Sequence, residues 1–262
     1  MLPRELTAAL TSAARRDIVL LASDFDGVLS PLQDDPLACR PVAGSVEALR
    51  AVAEEPGTTA ALVSGRDRQT LSAISGVGEL ADDPIILIAS HGGESSRPDL
   101  VVPADLDETR QALLARLRDG LDEVAADHPG ARVEVKPTSV VLHTRGIDPA
   151  IAADAHRAGQ ALADGLTGTH AMAGKDVLEL GVVEMSKGVA ITQLAGSLGA
   201  DATIYFGDDV TDEMAFAMMA PERGDVSVKV GAGETVAAYR VDGIPDVVEA
   251  LQLFARERTS RG

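Results

Sequence analysis

Val19-Leu20-Leu21-Ala22-Ser23-Asp24-Phe25-Asp26-Gly27-Val28-Leu29 is the stretch that decides the fold. An apolar run ends in Asp-x-Asp-Gly. A run of this length, closed by a turn signal, reads as a buried parallel strand. In an open α/β sheet, ligands collect at the carboxyl ends of the strands. Asp24 and Asp26 therefore leave the strand where a ligand can sit. Two carboxylates this close repel unless a cation or a shared proton holds them together. The pair reads as a metal site, or as a nucleophile beside an acid. The plainer alternative is an Asx turn, with Gly27 at positive φ.

Working outward, the same pattern recurs. Residues 58–63 form a short apolar run ending in Ser64-Gly65-Arg66, with a helix starting near Asp67. Residues 85–89 form another, ending in Ser90-His91-Gly92-Gly93-Glu94. Helical spacing covers 5–16 and 44–54. Further on, Ser186-Lys187-Gly188 opens a helix to about 198, and residues 203–206 form a buried strand. That strand runs into Gly207-Asp208-Asp209-Val210-Thr211-Asp212-Glu213, with a helix expected from about 213 to 220. A strand over 226–230 and a helix over 244–256 close the pattern. Strands alternating with helices predict an α/β fold with a doubly wound, Rossmann-like parallel sheet.

The pattern changes between 104 and 183. A long amphipathic helix over 106–126 carries Leu113, Leu117, Leu121 and Val124 as a stripe. Period-two strands follow over 132–136 and 140–145, then a helix over 149–165, then strands near 169–173 and 175–180. This αββαββ block predicts an antiparallel sheet with helices on one face and the other face wet. By parity the wet face carries Glu134, Lys136, His143, Arg145, Lys175 and Glu179. It is either a ligand-reading surface or a solvated face with cross-strand ion pairs. Residues 1–103 and 184–262 are thus expected to form one discontinuous core, and 104–183 an inserted cap.

Composition narrows the function classes. The chain has 262 residues, 45% hydrophobic but only 2% aromatic, so Ala, Val and Leu must build its cores. A net charge of −18 argues against a nucleic-acid partner, which needs a basic footprint. A small anionic substrate remains compatible, because a local cluster can outweigh net charge. The single Cys39 excludes an internal disulfide. No signal-peptide-like region and no run of about 18 apolar residues is seen, which predicts a cytoplasmic protein without membrane contact. A monomer is expected.

Four of these stretches, in this order, resemble the motifs of the haloacid-dehalogenase superfamily: Asp24-Phe25-Asp26-Gly27, Ser64-Gly65-Arg66, Lys187-Gly188, and Gly207 through Glu213. More narrowly, the chain resembles the trehalose-6-phosphate phosphatase family. Ser-His-Gly-x-Glu at 90–94, Glu134-x-Lys136 with His143-x-Arg145, and Gly174-Lys175 followed by Glu179 carry that likeness. Two departures stand out: Val28 where threonine is commoner, and no Arg-Pro after Glu179.

The resemblance implies an Mg²⁺-dependent phosphatase acting on a small-molecule sugar phosphate. Asp24 would be the nucleophile, forming an aspartyl-phosphate. Asp26 would act as general acid and then base. Ser64 and Lys187 would hold the phosphoryl group, with Asp212 orienting Lys187 or a metal-bound water. Metal ligands would be the Asp24 carboxylate, the Asp26 carbonyl and Asp208. Gly65, Arg66, His91, Glu134, Lys136, Arg145, Lys175 and Glu179 would bind substrate. Trehalose 6-phosphate, another phosphorylated sugar or pseudo-disaccharide, and a catalytically silent sugar-phosphate-binding domain are the three functional alternatives.

Overall fold

The structure is a computed structural model and describes residues 2–78, 83–99, 106–136, 138–174, 176–183 and 186–261. The chain divides into two compact units, Met1–Val102 with Met185–Gly262, and Pro103–Glu184. Among the described residues no helix is long and apolar enough to cross a membrane.

In the first unit the strands are β1 (Val19–Asp24), β2 (Thr58–Val63), β3 (Ile85–Ala89) and β4 (Glu94–Ser95). The second unit contributes β5 (Arg132–Val135), β6 (Ser139–His143), β7 (His170–Gly174) and β8 (Val177–Gly181). The first unit resumes with β9 (Ala202–Gly207), β10 (Val226–Val230) and β11 (Tyr239–Val241). The helices, in chain order, are α1 (Arg4–Ala13), α2 (Ser45–Ala53), α3 (Arg68–Ser75), α4 (Glu108–Asp127), α5 (Pro149–Asp164), α6 (Lys187–Leu198), α7 (Val210–Met218) and α8 (Ile244–Thr259).

The larger sheet has the order β11-β10-β9-β1-β2-β3-β4, parallel except for the β3–β4 pair. β1 lies at its centre, buried along its whole length, with β2 and β9 in parallel register on either side. Strand order reverses there, since the chain moves to one side through β2 and to the other through β9. That reversal opens a crevice at the carboxyl end of β1. Leu21, Ile204 and Val228 face one apolar layer, shared with Leu10, Leu49 and Phe254 of α1, α2 and α8. Leu20, Ala22 and Tyr205 face the other, shared with Ile191 and Leu194 of α6 and Phe216 of α7. Burial on both faces explains why these strands read as continuous apolar runs.

Helix starts follow local chemistry. Asp67 accepts the Thr70 amide, and Ser186 accepts the Val189 amide. α7 begins at Val210, not near 213 as the spacing suggested. Asp209 caps it, and Asp212 closes a reciprocal capping box. The acid-rich motif is therefore a helix N-terminus as well as a cluster. β4 and β11 were not read from sequence, because at two and three residues they carry no periodicity.

The smaller sheet is antiparallel, in the order β5-β6-β8-β7. Val140, Leu142, Leu178 and Leu180 face Leu117 and Leu121 of α4 and Ala155 of α5, forming a separate apolar core. Gly159 of α5 makes the close approach possible, since a Cβ there would lie 2.6 Å from Leu178 Cδ2. On the opposite face Glu134 and Glu179 flank Val141 in register. Arg145 corrects the parity reading. β6 ends at His143, and Arg145 lies in the following turn with its side chain 82% exposed and 4.0 Å from Asp176. Strand alternation cannot aim a residue beyond the strand. Lys175 lies outside the described residues.

Candidate active site

Asp24 is the last residue of β1, and its side chain is buried. Its Oδ1 accepts the Phe25 amide at 2.7 Å, and its Oδ2 accepts Lys187 Nζ at 2.8 Å. Lys187 is the first residue of α6, where the helix dipole disfavours a cation. Carboxylates overcome this, because Nζ also donates to Asp212 Oδ1 at 2.9 Å. Burial alone would lower the Lys187 ammonium, but Asp24 and Asp212 outweigh it and hold it well above its ordinary value. The Asp24 carboxyl is pushed up by burial, against the pull of Lys187.

Asp212 organises the site. Its Oδ1 also accepts the buried Tyr205 hydroxyl at 2.6 Å, and its Oδ2 accepts the amides of Asp208 and Asp209 at 2.8 and 3.0 Å. Carboxylate oxygens of Asp24, Asp208 and Asp212 come within 4.8 Å of one another. Each Asp212 oxygen already accepts two hydrogen bonds and each Asp24 oxygen only one, so the carboxylates with lone pairs left for a cation are Asp24 and Asp208. Gly27, at φ +75°, makes room for Asp208, since a Cβ there would lie 1.9 Å from Asp208 Oδ2. An oxygen-only donor set of this charge suits a hard divalent cation. Burial, with Asp212 and Asp209 nearby, raises the Asp208 carboxyl to about 6.

A cavity of about 310 Å³ opens over these groups. Asp24, Asp26, Ser64, Gly65, Arg66, His91 and Lys187 all line it. Ser64 is buried at the end of β2, and its Oγ accepts the Arg66 amide at 3.2 Å, leaving its hydroxyl hydrogen free to donate. Arg66, expected to bind substrate, is engaged with a carboxylate through two of its three nitrogens. It grips Asp26 bidentately, through Nε at 2.7 Å and Nη2 at 2.8 Å. Ser90 and His91 are both left-handed, at φ 51° and 53°, an uncommon conformation for side-chain-bearing residues. The Ser90 hydroxyl holds Glu94 Oε1 at 2.6 Å, and the turn lays the His91 ring against Gly65, where a Cβ would lie 2.5 Å from it. Burial, then Lys187, lowers the His91 imidazole, so it is neutral at pH 7.

In the second unit, Lys136 Nζ donates to Glu179 Oε2 at 3.1 Å, and the Ser139 hydroxyl donates to Glu179 Oε1 at 2.5 Å. His143 Nε2 lies 2.7 Å from Glu134 Oε2.

The family model for trehalose-phosphatase matches residues 22–244. The chain belongs to the trehalose-phosphatase family. The trehalose-6-phosphate phosphatase of Escherichia coli is 30% identical over 237 residues, covering 88% of this chain and 84% of that protein. A bifunctional trehalose-6-phosphate synthase/phosphatase of Thermoproteus tenax is 32% identical over 91% of this chain, which spans only 32% of that protein's length. The Aspergillus fumigatus trehalose-6-phosphate phosphatase structure superposes with a TM-score of 0.59 at 23% identity, covering 95% of this chain and 97% of that one. At that identity the superposition speaks for the fold.

Two residues of the site escaped sequence reading, Tyr205 and Lys229. Lys229 is buried in β10 and donates through Nζ to the Asp208 carbonyl. Each had a faint signal: a phenol or a charge inside a mostly apolar strand.

Proposed function

We propose that this chain hydrolyses trehalose 6-phosphate to trehalose and phosphate through an aspartyl-phosphate on Asp24, with Mg²⁺ as cofactor. The observation that carries the reading is the buried Asp24–Lys187–Asp212 bridge, whose Asp24 and Lys187 line the cavity, in a chain of this family. A phosphate monoester is among the slowest substrates to hydrolyse unaided, so charge must be offset where the phosphate arrives.

Asp24 and Asp208, with the Asp26 carbonyl, would hold the cation, which when bound offsets the repulsion between Asp24 and the phosphoryl oxygens. Lys187, kept charged by its two carboxylates, faces the same oxygens and aims Asp24. Ser64 donates its hydroxyl to the phosphoryl group. Asp26 protonates the departing sugar oxygen, then takes a proton from the water that opens the aspartyl-phosphate. Arg66 holds both Asp26 oxygens, so it must loosen its grip before Asp26 can turn to the departing oxygen. Glu134, Lys136 and Glu179 read the sugar: carboxylates accept from sugar hydroxyls, and the ammonium donates to sugar oxygens.

The test is phosphate release from a panel: trehalose 6-phosphate, sucrose phosphate, glucosyl- and mannosyl-phosphoglycerate and an aryl phosphate. Trehalose 6-phosphate should be turned over fastest, with kcat reduced at least ~10³-fold in Asp24→Asn by loss of the nucleophile. Preference for another member of the panel would reassign the substrate. Turnover by Asp24→Asn at the native rate would remove the nucleophile.

A further inference from the structure

We propose that Lys229 is a positioning residue of the cation site: from β10 its ammonium pins the main chain of Asp208 and so aims the carboxylate that receives the divalent cation. This rests on the reading of Asp208 as a metal ligand.

β10 is buried throughout, and Val226, Val228 and Val230 supply its apolar side. Lys229 points the other way and is 5% exposed. It pairs in register with Gly207, the residue before Asp208. Among the described residues its ammonium has one partner, the Asp208 carbonyl, and no carboxylate within ion-pair distance. Burying an ammonium on a single neutral acceptor is costly, and nothing in the apolar packing of β10 calls for it. The placement makes sense at the loop it touches.

There Asp212 already holds the amides of Asp208 and Asp209. Lys229 takes the intervening carbonyl, so the Asp208 backbone is fixed on both sides. Small divalent cations demand near-ideal ligand geometry, and a ligand on a free loop would not provide it. Groups that orient ligands in this way commonly change metal affinity 10–100-fold.

The position also carries a charge, and the two effects oppose each other. A nearby ammonium repels an incoming cation, so removing the charge alone would tighten binding. Removing an anchor would weaken it. Titration calorimetry with Mg²⁺ alone, without substrate, therefore separates the two. Lys229→Met is expected to weaken Mg²⁺ binding about tenfold or more, while its Tm in EDTA stays within a few degrees of the parent. Lys229→Arg should recover most of the affinity, because it keeps a donor of similar reach. At saturating Mg²⁺ the Lys229→Met enzyme should regain most of its kcat. Should Lys229→Met not fold, Lys229→Gln takes its place with the same expectation, since its amide falls short of the carbonyl. Unchanged or tighter Mg²⁺ binding in the charge-free variant would overturn the proposal. Asp208→Asn run in parallel tests the underlying reading, which fails if that variant binds Mg²⁺ as the parent does.

Discussion

At the scale of single residues, the site sets excess negative charge against two buried ammoniums, Lys187 and Lys229. Lys187 lies 2.8 Å from Asp24 and 2.9 Å from Asp212, while among the described residues no ammonium is hydrogen-bonded to the Asp208 carboxylate, and burial with Asp212 and Asp209 raises it to about 6 against the pull of Lys187 and Lys229. A carboxyl whose folded value lies near 6 and whose ordinary value is 3.8 binds more protons folded than unfolded between those values. Metal-free stability should therefore fall as pH rises from about 4 to 6. Asp208→Asn removes that penalty, and partial exposure keeps the gain near about 1 kcal/mol. In EDTA at pH 7 its Tm should rise by about 2–4 °C and vary less between pH 4 and 6 than the parent's. Thermal scans in EDTA across that range check this, and an unchanged or lower Tm would count against it. The same proton competes with the cation, so Mg²⁺ affinity should weaken below pH 6.

At the scale of elements, the groups proposed to act on the phosphate sit where a strand or helix begins or ends. Asp24 closes β1, Ser64 follows β2, Lys187 opens α6 and the acid cluster opens α7. These positions were legible because apolar runs stop abruptly at small polar residues. Orientation inside the antiparallel sheet was legible only as far as alternation lasts. Glu134 and Glu179 fall on one face, Lys136, one residue past β5, reaches it by donating to Glu179, and Arg145, two residues past the end of β6, does not. Because this face is read as the sugar-binding surface, Glu179→Ala or Lys136→Ala should lower kcat/KM for trehalose 6-phosphate about 10²–10⁴-fold, the range set by unpaired sugar hydroxyls. Hydrolysis of a small aryl phosphate, which needs only the first unit, should change less than about threefold. Equal losses on both substrates would make the pairs structural.

At the scale of the molecule, two units each carry their own apolar core. A cavity cut into one should be felt mainly there. Leu142 is fully buried in the smaller sheet, so Leu142→Ala should cost about 2–5 kcal/mol. Hydrogen exchange should then lose protection across β5, β6 and β8 while β1 and β9 keep theirs. Loss of protection across both units together would mean that they unfold as one.

The sequence by itself determined the α/β class, the doubly wound sheet and the ends of the main strands. Those are properties of local periodicity and of polar residues closing apolar runs. It also brought Asp24 and Asp26 forward through the strand they close, and Ser64, Lys187 and Asp208 through the family resemblance that their short, contiguous motifs carry. Only the tertiary structure decided which groups engage which. Arg66 holds Asp26, Tyr205 and Lys187 share Asp212, and Lys229 reaches the Asp208 carbonyl. Partners on β9, α6 and β10 are far apart in the chain, and nothing in local pattern encodes their meeting. It is set by strand order, which lays β9 against β1 and β10 against β9 and so gathers their carboxyl ends at one crevice.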